Sequence, residues 1–158
     1  MIKNTRATAG LQTYMKLAVK MGQKGYEKGE VPIGAIFVWE NKVIAAAHNL
    51  KESLCDPTAH AEILAIRQAS QKLGSWRLNR GKLFVTAEPC LMCTTAILQA
   101  RIPILVFGVN EWRTGGVESA FSIEKHPDYY PSIQIYGGIL EKECKALMQS
   151  FFKNRRQI

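Results

Sequence analysis

Three metal-binding side chains, widely separated in the sequence, place the strongest constraint on how this chain can fold. His60 comes first, and Cys90 and Cys93 follow with two residues between them. One metal ion can bind all three only if the fold brings the His60 segment against the Cys90 segment. Structural zinc sites are closed by four protein ligands, whereas catalytic sites keep one position for water. Three ligands therefore predict a catalytic metal site, and Glu62 is free for a chemical role.

Hydrophobic patterns along the chain predict how the fold brings these segments together. Helical periodicity is found over residues 11–28, 60–73, 89–98 and 139–156, and strand-like runs over 33–39, 43–48, 83–86, 104–107 and 133–136. A turn at Glu40-Asn41 predicts that the first two strands form a hairpin. Strands that alternate with helices indicate an α/β layered fold, and the hairpin makes the sheet mixed. Residues 51–58 are predicted to be a polar loop, with Asp56 or Thr58 capping the next helix.

Composition narrows the class of protein further. A chain of 158 residues fits one compact domain. The net charge of +8 suits a nucleic acid, an acidic small substrate, or no particular partner. No segment has the apolar length of a membrane helix, so no membrane partner is expected. Residues 1–10 are polar and predict no secretory signal, which with metal-binding cysteines indicates a cytoplasmic protein.

The sequence around each ligand suits metal-assisted chemistry. His60 and the two cysteines fall at predicted helix starts, where partial positive charge favours thiolates. Zinc bound there would lower the pKa of a water ligand to about 7. Such a water could attack the amino-bearing carbon of a base such as adenine or cytosine. Glu62 would carry the protons, a role that typically contributes about 10²–10⁴-fold to the rate.

Other interpretations of these residues stay open on this reasoning alone. Cys90 and Cys93 have the spacing of a redox pair. A structural zinc site with Cys55 or His48 as a fourth ligand is a second possibility. Glu62 would then be no more than a solvated acid on a helix face.

The chain resembles the zinc-dependent deaminase superfamily over most of its length. The matching motifs are Val31-Pro32-Ile33-Gly34-Ala35, Asn49, Asp56-Pro57-Thr58-Ala59-His60-Ala61-Glu62, Glu88-Pro89-Cys90-Leu91-Met92-Cys93 and Arg101-Ile102. The later motifs resemble the bacterial tRNA-specific adenosine deaminases (TadA type): Phe107-Gly108, Thr114-Gly115, Phe151-Phe152 and Arg155-Arg156. This resemblance implies a three-layer α/β/α fold with a mixed five-stranded sheet. It also implies a single deaminase domain over residues 1–158, ending in the helix at 139–156, with residues 1–10 interpreted as a flexible segment.

The same resemblance implies a role for each matching residue. The three ligands would bind one zinc ion per subunit, and Glu62 would shuttle protons. Asn49 and the backbone around Ala61 would hold the reacting base. The implied substrate is the wobble adenosine of a tRNA anticodon stem-loop, converted to inosine, and the implied assembly is a homodimer. The candidate RNA contacts are Glu111, Trp112, Arg113, Lys153, Arg155 and Arg156.

Two alternatives to this function remain at this stage. The first is a deaminase of a free base or nucleotide, such as guanine or cytosine, because it shares the zinc motif. The second is an RNA-binding protein with a structural or vestigial zinc. An intact Glu62 argues against the second, because a pure binding module has no use for a proton shuttle.

Overall fold

Five strands form one sheet in the computed structural model of the chain, which describes residues 5–122 and 133–156. The strands are β1 (Gly34–Trp39), β2 (Lys42–His48), β3 (Gly81–Ala87), β4 (Ile104–Val109) and β5 (Gln134–Tyr136). The helices are α1 (Thr5–Glu27), α2 (Lys51–Leu54), α3 (Ala61–Leu73), α4 (Leu91–Gln99) and α5 (Glu141–Arg155). The strand order is β2-β1-β3-β4-β5. Strand β1 is antiparallel to both neighbours, whereas β3, β4 and β5 are parallel, so the sheet is mixed as predicted.

The predicted hairpin joins β1 to β2 through two residues with left-handed backbone. Glu40 has a φ of 48° and Asn41 a φ of 62°. A two-residue turn with positive φ at both positions matches the right-handed twist of the flanking strands. The pairing then runs from Trp39 opposite Lys42 to Gly34 opposite His48.

The two faces of the sheet pack against different helices. Successive strand residues point to opposite faces, so each face collects alternate side chains. On one face, the sheet residues Phe37, Val85 and Phe107 pack in one core with Ala65 of α3 and Ile97 of α4. On the other face, the sheet residues Ile36, Phe84 and Val106 pack in one core with Met15 of α1 and Cys144 of α5. The three-layer α/β/α prediction is therefore confirmed.

Strand directions place the candidate ligands at one edge of the sheet. The carboxyl ends of β2, β3 and β4 lie together, since β1 runs against both β2 and β3. Helix α4 begins directly after β3, and α3 follows the short segment after β2. A hydrogen bond of 3.1 Å from the Gly34 backbone N–H to Thr86 Oγ1 joins β1 and β3 at this carboxyl edge.

Three local predictions were wrong. Helix α1 begins at Thr5 rather than at the predicted residue 11, residues 1–4 lie outside the described residues, and the flexibility of residues 1–10 stays a prediction. Residues 51–54 form the one-turn helix α2 instead of a loop. The start of α3 is capped by neither Asp56 nor Thr58, because Asp56 Oδ1 accepts hydrogen bonds from the Thr58 N–H and hydroxyl.

Within the described parts of the chain, no helix is both long and apolar enough to cross a bilayer.

The close approach of α1 to β1 leads to a stability prediction. A Cβ at Gly34 would clash with the carbonyl oxygen of Ala18 and lie 2.5 Å from the Gly22 nitrogen. Gly34→Ala should therefore lower the free energy of unfolding, measured by chemical denaturation, by about 3 kcal/mol, the upper end of over-packing costs. Gly10→Ala is the control, since nothing lies within 4 Å of that position in α1. It should raise stability by about 0.5–1 kcal/mol. A Gly34→Ala variant as stable as the wild type would contradict this packing.

Candidate active site

The carboxyl edge of the sheet brings the three predicted metal ligands together. His60 is the N-cap of α3 and Cys90 is the N-cap of α4, and both have extended backbone. Cys93 lies in the first turn of α4, so both sulfurs face one imidazole. His60 Nδ1 lies 3.7 Å from Cys90 Sγ and 3.5 Å from Cys93 Sγ. All three ligand atoms lie within 4.8 Å of one another.

These separations fit a single tetrahedral metal ion. Zinc bonds of about 2.3 Å to sulfur and about 2.0–2.1 Å to nitrogen place such ligands about 3.6 Å apart at tetrahedral angles. The two nitrogen-to-sulfur distances lie on either side of that value. In the described residues the group contains three ligands and no fourth. A bound ion would therefore keep one coordination position for water.

The proton affinities of the ligands also suit a cation. The hydrogen bond with Cys93, aided by His60 and opposed by burial, lowers the pKa of the Cys90 thiol to about 4. The same contact, with burial, raises the pKa of the Cys93 thiol. The hydrogen bond with Cys90 also raises the pKa of His60. One thiolate is therefore present at neutral pH before any metal binds, which is the form that ligates zinc.

Glu62 lies in the first turn of α3, and its side chain is buried beside the three ligands. It is 3 % exposed, and its carboxyl contacts the Cys93 thiol. Burial raises the pKa of Glu62 to about 7. Its Oε2 has no hydrogen-bond partner among the residues described. A solvated acid would show neither property. A buried carboxyl with a free oxygen and a pKa near neutrality can both accept and release a proton.

The alternative fourth ligands lie elsewhere in the structure. Cys55 is exposed, and its thiol donates to the Glu52 carbonyl. His48 Nδ1 lies 2.8 Å from the Asn49 carbonyl oxygen. Neither belongs to the ligand group found in the described chain. The position of His60 beside both sulfurs also favours metal binding over a redox pair.

Asn49 follows β2 at the same carboxyl edge and is held by an acid that the sequence did not single out. Its side chain is 5 % exposed, and Nδ2 donates to Glu30 Oε2 at 3.2 Å. The fully buried Glu30 also accepts from the backbone N–H groups of Glu52 and Ser53 and from the Ser53 hydroxyl. Burial acts to raise the pKa of Glu30, but these hydrogen bonds lower it below the usual value. Glu30 therefore fixes the Asn49 amide and the start of α2.

Comparison with known proteins adds family membership to this geometry. The model of the MafB19-like deaminases matches residues 10–156. The tRNA-specific adenosine deaminase of Bacillus subtilis is 39% identical over 146 residues, which cover 92% of this chain and 91% of that protein. The corresponding protein of Aquifex aeolicus is 39% identical over 155 residues, covering 93% and 97%. The chain belongs to the tRNA-specific adenosine deaminase family.

Solved structures agree with this assignment. A structure from a study of tRNA:A34 deaminases and A-to-I editing is 40% identical to this deaminase, with a TM-score of 0.82. The match covers 85% of this chain and 98% of that one. A guanine deaminase from Bacillus subtilis is 36% identical over 69% of each chain, with a TM-score of 0.60. The fold is thus shared with deaminases of different named substrates.

The loop after β4 of this deaminase, residues 110–122, borders the metal ligands and carries three candidate RNA contacts. Gly115 forms an isolated bridge with Cys90, and the Gly116 N–H donates to the Pro89 carbonyl at 2.8 Å. Trp112 is 76 % exposed and is the most exposed large hydrophobic side chain described. Arg113 is also exposed, and its N–H donates to Glu111 Oε1 at 3.0 Å.

The candidate RNA contacts at the C-terminus lie next to Glu30, the residue that holds the Asn49 amide. Three exposed cations lie at the end of α5: Lys153, Arg155 and Arg156. Arg155 donates to the carbonyl of Gly29 at 3.2 Å, directly before Glu30. Asn154 donates to the Tyr26 hydroxyl. The end of α5 is therefore fixed to the segment that supports Asn49.

Ala61 is the first residue of α3 and is fully buried. The N–H groups of the first helical turn have no intrahelical partner, so the Ala61 N–H is available to a ligand at this helix start. In the chain Ala61 lies between the metal ligand His60 and Glu62, at the same helix start.

Two acids of this site, Glu30 and Glu88, were missed as functional residues in the sequence. Both are 3 % exposed or less, and both accept hydrogen bonds from loop backbone. Each directly precedes an apolar or proline-containing motif, Val31-Pro32 or Pro89-Cys90. For Glu88 the available signal was its place in the Glu88-Pro89-Cys90 motif, and for Glu30 it was a lone acid just before the first strand.

Proposed function

We propose that this deaminase hydrolyses the wobble adenosine of a tRNA anticodon loop to inosine and ammonia. The observation that carries the proposal is the buried Glu62 carboxyl beside a three-ligand metal group, in a chain 39% identical to tRNA-specific adenosine deaminases over 92% of its length. Three ligands with a free acid suit hydrolysis, and the relatives supply the substrate class. An anticodon-loop base also leaves its stack more readily than a base in a duplex.

We infer that His60, Cys90 and Cys93 hold one zinc ion per subunit. When bound, zinc supplies a Lewis acid that makes water a competent nucleophile near neutral pH. Glu62 takes up a proton at Oε2 from the attacking water, whose oxygen bonds to the amino-bearing carbon, and passes that proton to the purine ring nitrogen. It then takes the proton of the new hydroxyl and delivers it to the amine, so that the C–N bond breaks and ammonia leaves. A pKa of about 7 makes both of its protonation states accessible in this cycle.

The base is positioned by groups on either side of the carboxyl. The Asn49 amide, fixed by Glu30, hydrogen-bonds the purine, and the N–H of Ala61 lies at the helix start next to it. Burial of Glu62 keeps bulk water from its free oxygen. Protons therefore pass to the substrate rather than to solvent.

We also infer one domain over residues 1–158, a cytoplasmic location and a homodimer. The family model spans residues 10–156, and one sheet includes every strand described. Two apolar side chains besides the candidate RNA contact Trp112 lie exposed around the metal-binding turn: Leu91 at 39 % and Phe121 at 56 %. A second subunit over this patch would bury them and complete the wall of the site.

The substrate is tested by supplying RNA and free bases in parallel. Zinc-loaded protein is incubated with an arginine-tRNA anticodon stem-loop that bears the wobble adenosine, and separately with free adenosine, guanine and cytosine. Inosine that forms only in the RNA is the expected result. Ammonia released from guanine alone would replace this proposal with a free-base deaminase, the activity named for one of the solved relatives.

Salt sensitivity is the expected sign of the RNA contacts at the end of α5. If Lys153, Arg155 and Arg156 meet three phosphates, kcat/KM for the stem-loop should fall about 20-fold between about 50 and 200 mM salt. The triple glutamine variant should remove most of that dependence. A matched triple variant, Lys42→Gln, Arg77→Gln and Arg101→Gln, changes exposed cations near the opposite edge of the sheet. It should keep the wild-type slope. Equal slopes in both triple variants would remove these residues from the interface.

A further inference from the structure

One carboxylate joins the metal-binding turn to the loop at residues 110–122. Glu88 lies between β3 and Pro89, and its side chain is 3 % exposed. Its own N–H donates to the Val109 carbonyl at 2.8 Å, which fixes it at the end of β4. The Glu88 side chain accepts hydrogen bonds from several backbone N–H groups of this loop. Its loss would leave those N–H groups without a partner, so its role goes beyond packing.

The Glu88 carboxylate accepts hydrogen bonds from two limbs of the loop, the first at residues 110–113 and the second at residues 117–119. Oε1 accepts from the N–H groups of Val117, Glu118 and Ser119 at 3.2, 2.9 and 3.0 Å. Oε2 accepts from the Glu111 N–H at 3.0 Å, at the start of the loop, and from the Ser119 hydroxyl. Asn110 Nδ2 approaches Oε2 at 3.4 Å. Residues 117–119 are therefore held by Oε1 and by one further bond to Oε2, whereas the limb that carries Trp112 and Arg113 is held through Oε2.

The loop is packed against the carboxylate with little room to move. A Cβ at Gly115 would lie 2.6 Å from Glu88 Cδ, and one at Gly116 would lie 2.6 Å from Leu91 Cα. Trp112 and Arg113 have no comparable support, since their side chains are exposed. The position of these two side chains thus depends on the backbone contact at Glu111.

We propose that Glu88 is a positioning residue that holds Trp112 and Arg113 where the RNA substrate meets them. This inference rests on the proposed function and on the prediction from the sequence that residues 111–113 contact the RNA. Glu88 touches neither the metal ligands' donor atoms nor Glu62 in the contacts described. Its effect is expected on RNA binding, with the chemical step left to the residues of the metal site.

Glu88→Gln separates the two limbs. The amide oxygen can replace Oε1, while the amide NH₂ would face the Glu111 N–H and release that limb. KM for the stem-loop should rise about tenfold, the effect of losing one charged hydrogen bond. The kcat at saturating RNA should stay within about twofold, and zinc content should equal that of the wild type. Glu141→Gln is the control, because it removes an exposed charge at the start of α5, outside this hydrogen-bond network, and its KM should not change.

Each result decides between two claims. A wild-type enzyme that makes no inosine in RNA refutes the proposed function. An active wild type with an unchanged KM in Glu88→Gln refutes the positioning role, as does a loss of kcat together with zinc. If Glu88→Gln does not fold, Ser119→Ala takes its place, because the hydroxyl that it removes donates to Oε2 and accepts from Asn110 Nδ2, directly before Glu111. A smaller rise in KM at constant kcat supports the inference, and no rise overturns it.

Discussion

Glu62→Gln should keep stoichiometric zinc and lose at least about 10³-fold in kcat on the RNA stem-loop, within the range for removing a general acid/base. The amide has nearly the shape of the carboxyl but cannot accept and release a proton near neutral pH. Oε2 is buried without a partner among the described residues, so no second group there takes over the transfer. Single-turnover assays of inosine formation measure the loss, and metal analysis checks the zinc.

Two controls accompany this result: the melting temperature of Glu62→Gln, and the activity of a variant at the nearby acid Glu52. Replacing a buried carboxyl of raised pKa by a neutral amide should not lower the melting temperature, because the amide is easier to bury than a carboxylate. Glu52→Gln changes an exposed acid in the neighbouring α2 and should remain fully active. A Glu62→Gln enzyme with wild-type kcat would show that another group moves the proton.

The sequence predicted some parts of the metal site and the fold better than others. Cys90 and Cys93 are only two residues apart, so one helical turn determines their separation. His60 is placed beside them by the whole α/β arrangement, and its closeness to the cysteines was predicted from the ligand types and the family resemblance rather than from the pattern of strands and helices. Helix α2 was missed because a single turn at 51–54 is too short for hydrophobic periodicity to show.

Residues that act through distant backbone were out of reach of the sequence. Glu88 binds N–H groups 23 to 31 positions away, and Glu30 binds those of Glu52 and Ser53 at separations of 22 and 23. A loop donor has no side-chain signature, so neither partnership leaves a pattern in composition or spacing. The predicted cap of α3 was wrong for a related reason. Asp56 Oδ1 accepts hydrogen bonds from Thr58 within its own turn and does not cap the helix. Long-range contacts with backbone therefore need the fold before they can be named.

Cys93→Ser should lose most of the bound zinc and at least about 10³-fold of the activity, because the site retains only two ligands of the three that the structure groups. Chelation of the wild-type enzyme should give the same loss, restored by added zinc. A ligand present at about 1,000 times its Kd stabilises the folded state by about 4 kcal/mol. For a domain of this size each kcal/mol corresponds to about 2–4 °C, so removal should lower the melting temperature by about 8–16 °C.

The remaining cysteines distinguish loss of metal from loss of packing. Cys55→Ser changes an exposed thiol and should alter neither zinc content nor melting temperature. Cys144→Ser places a hydroxyl at a fully buried position against Gly108, so it should lower the melting temperature while keeping zinc. Zinc content is therefore the deciding measurement. A Cys93→Ser variant that still binds one zinc per chain and remains active would contradict the ligand set, whatever its melting temperature.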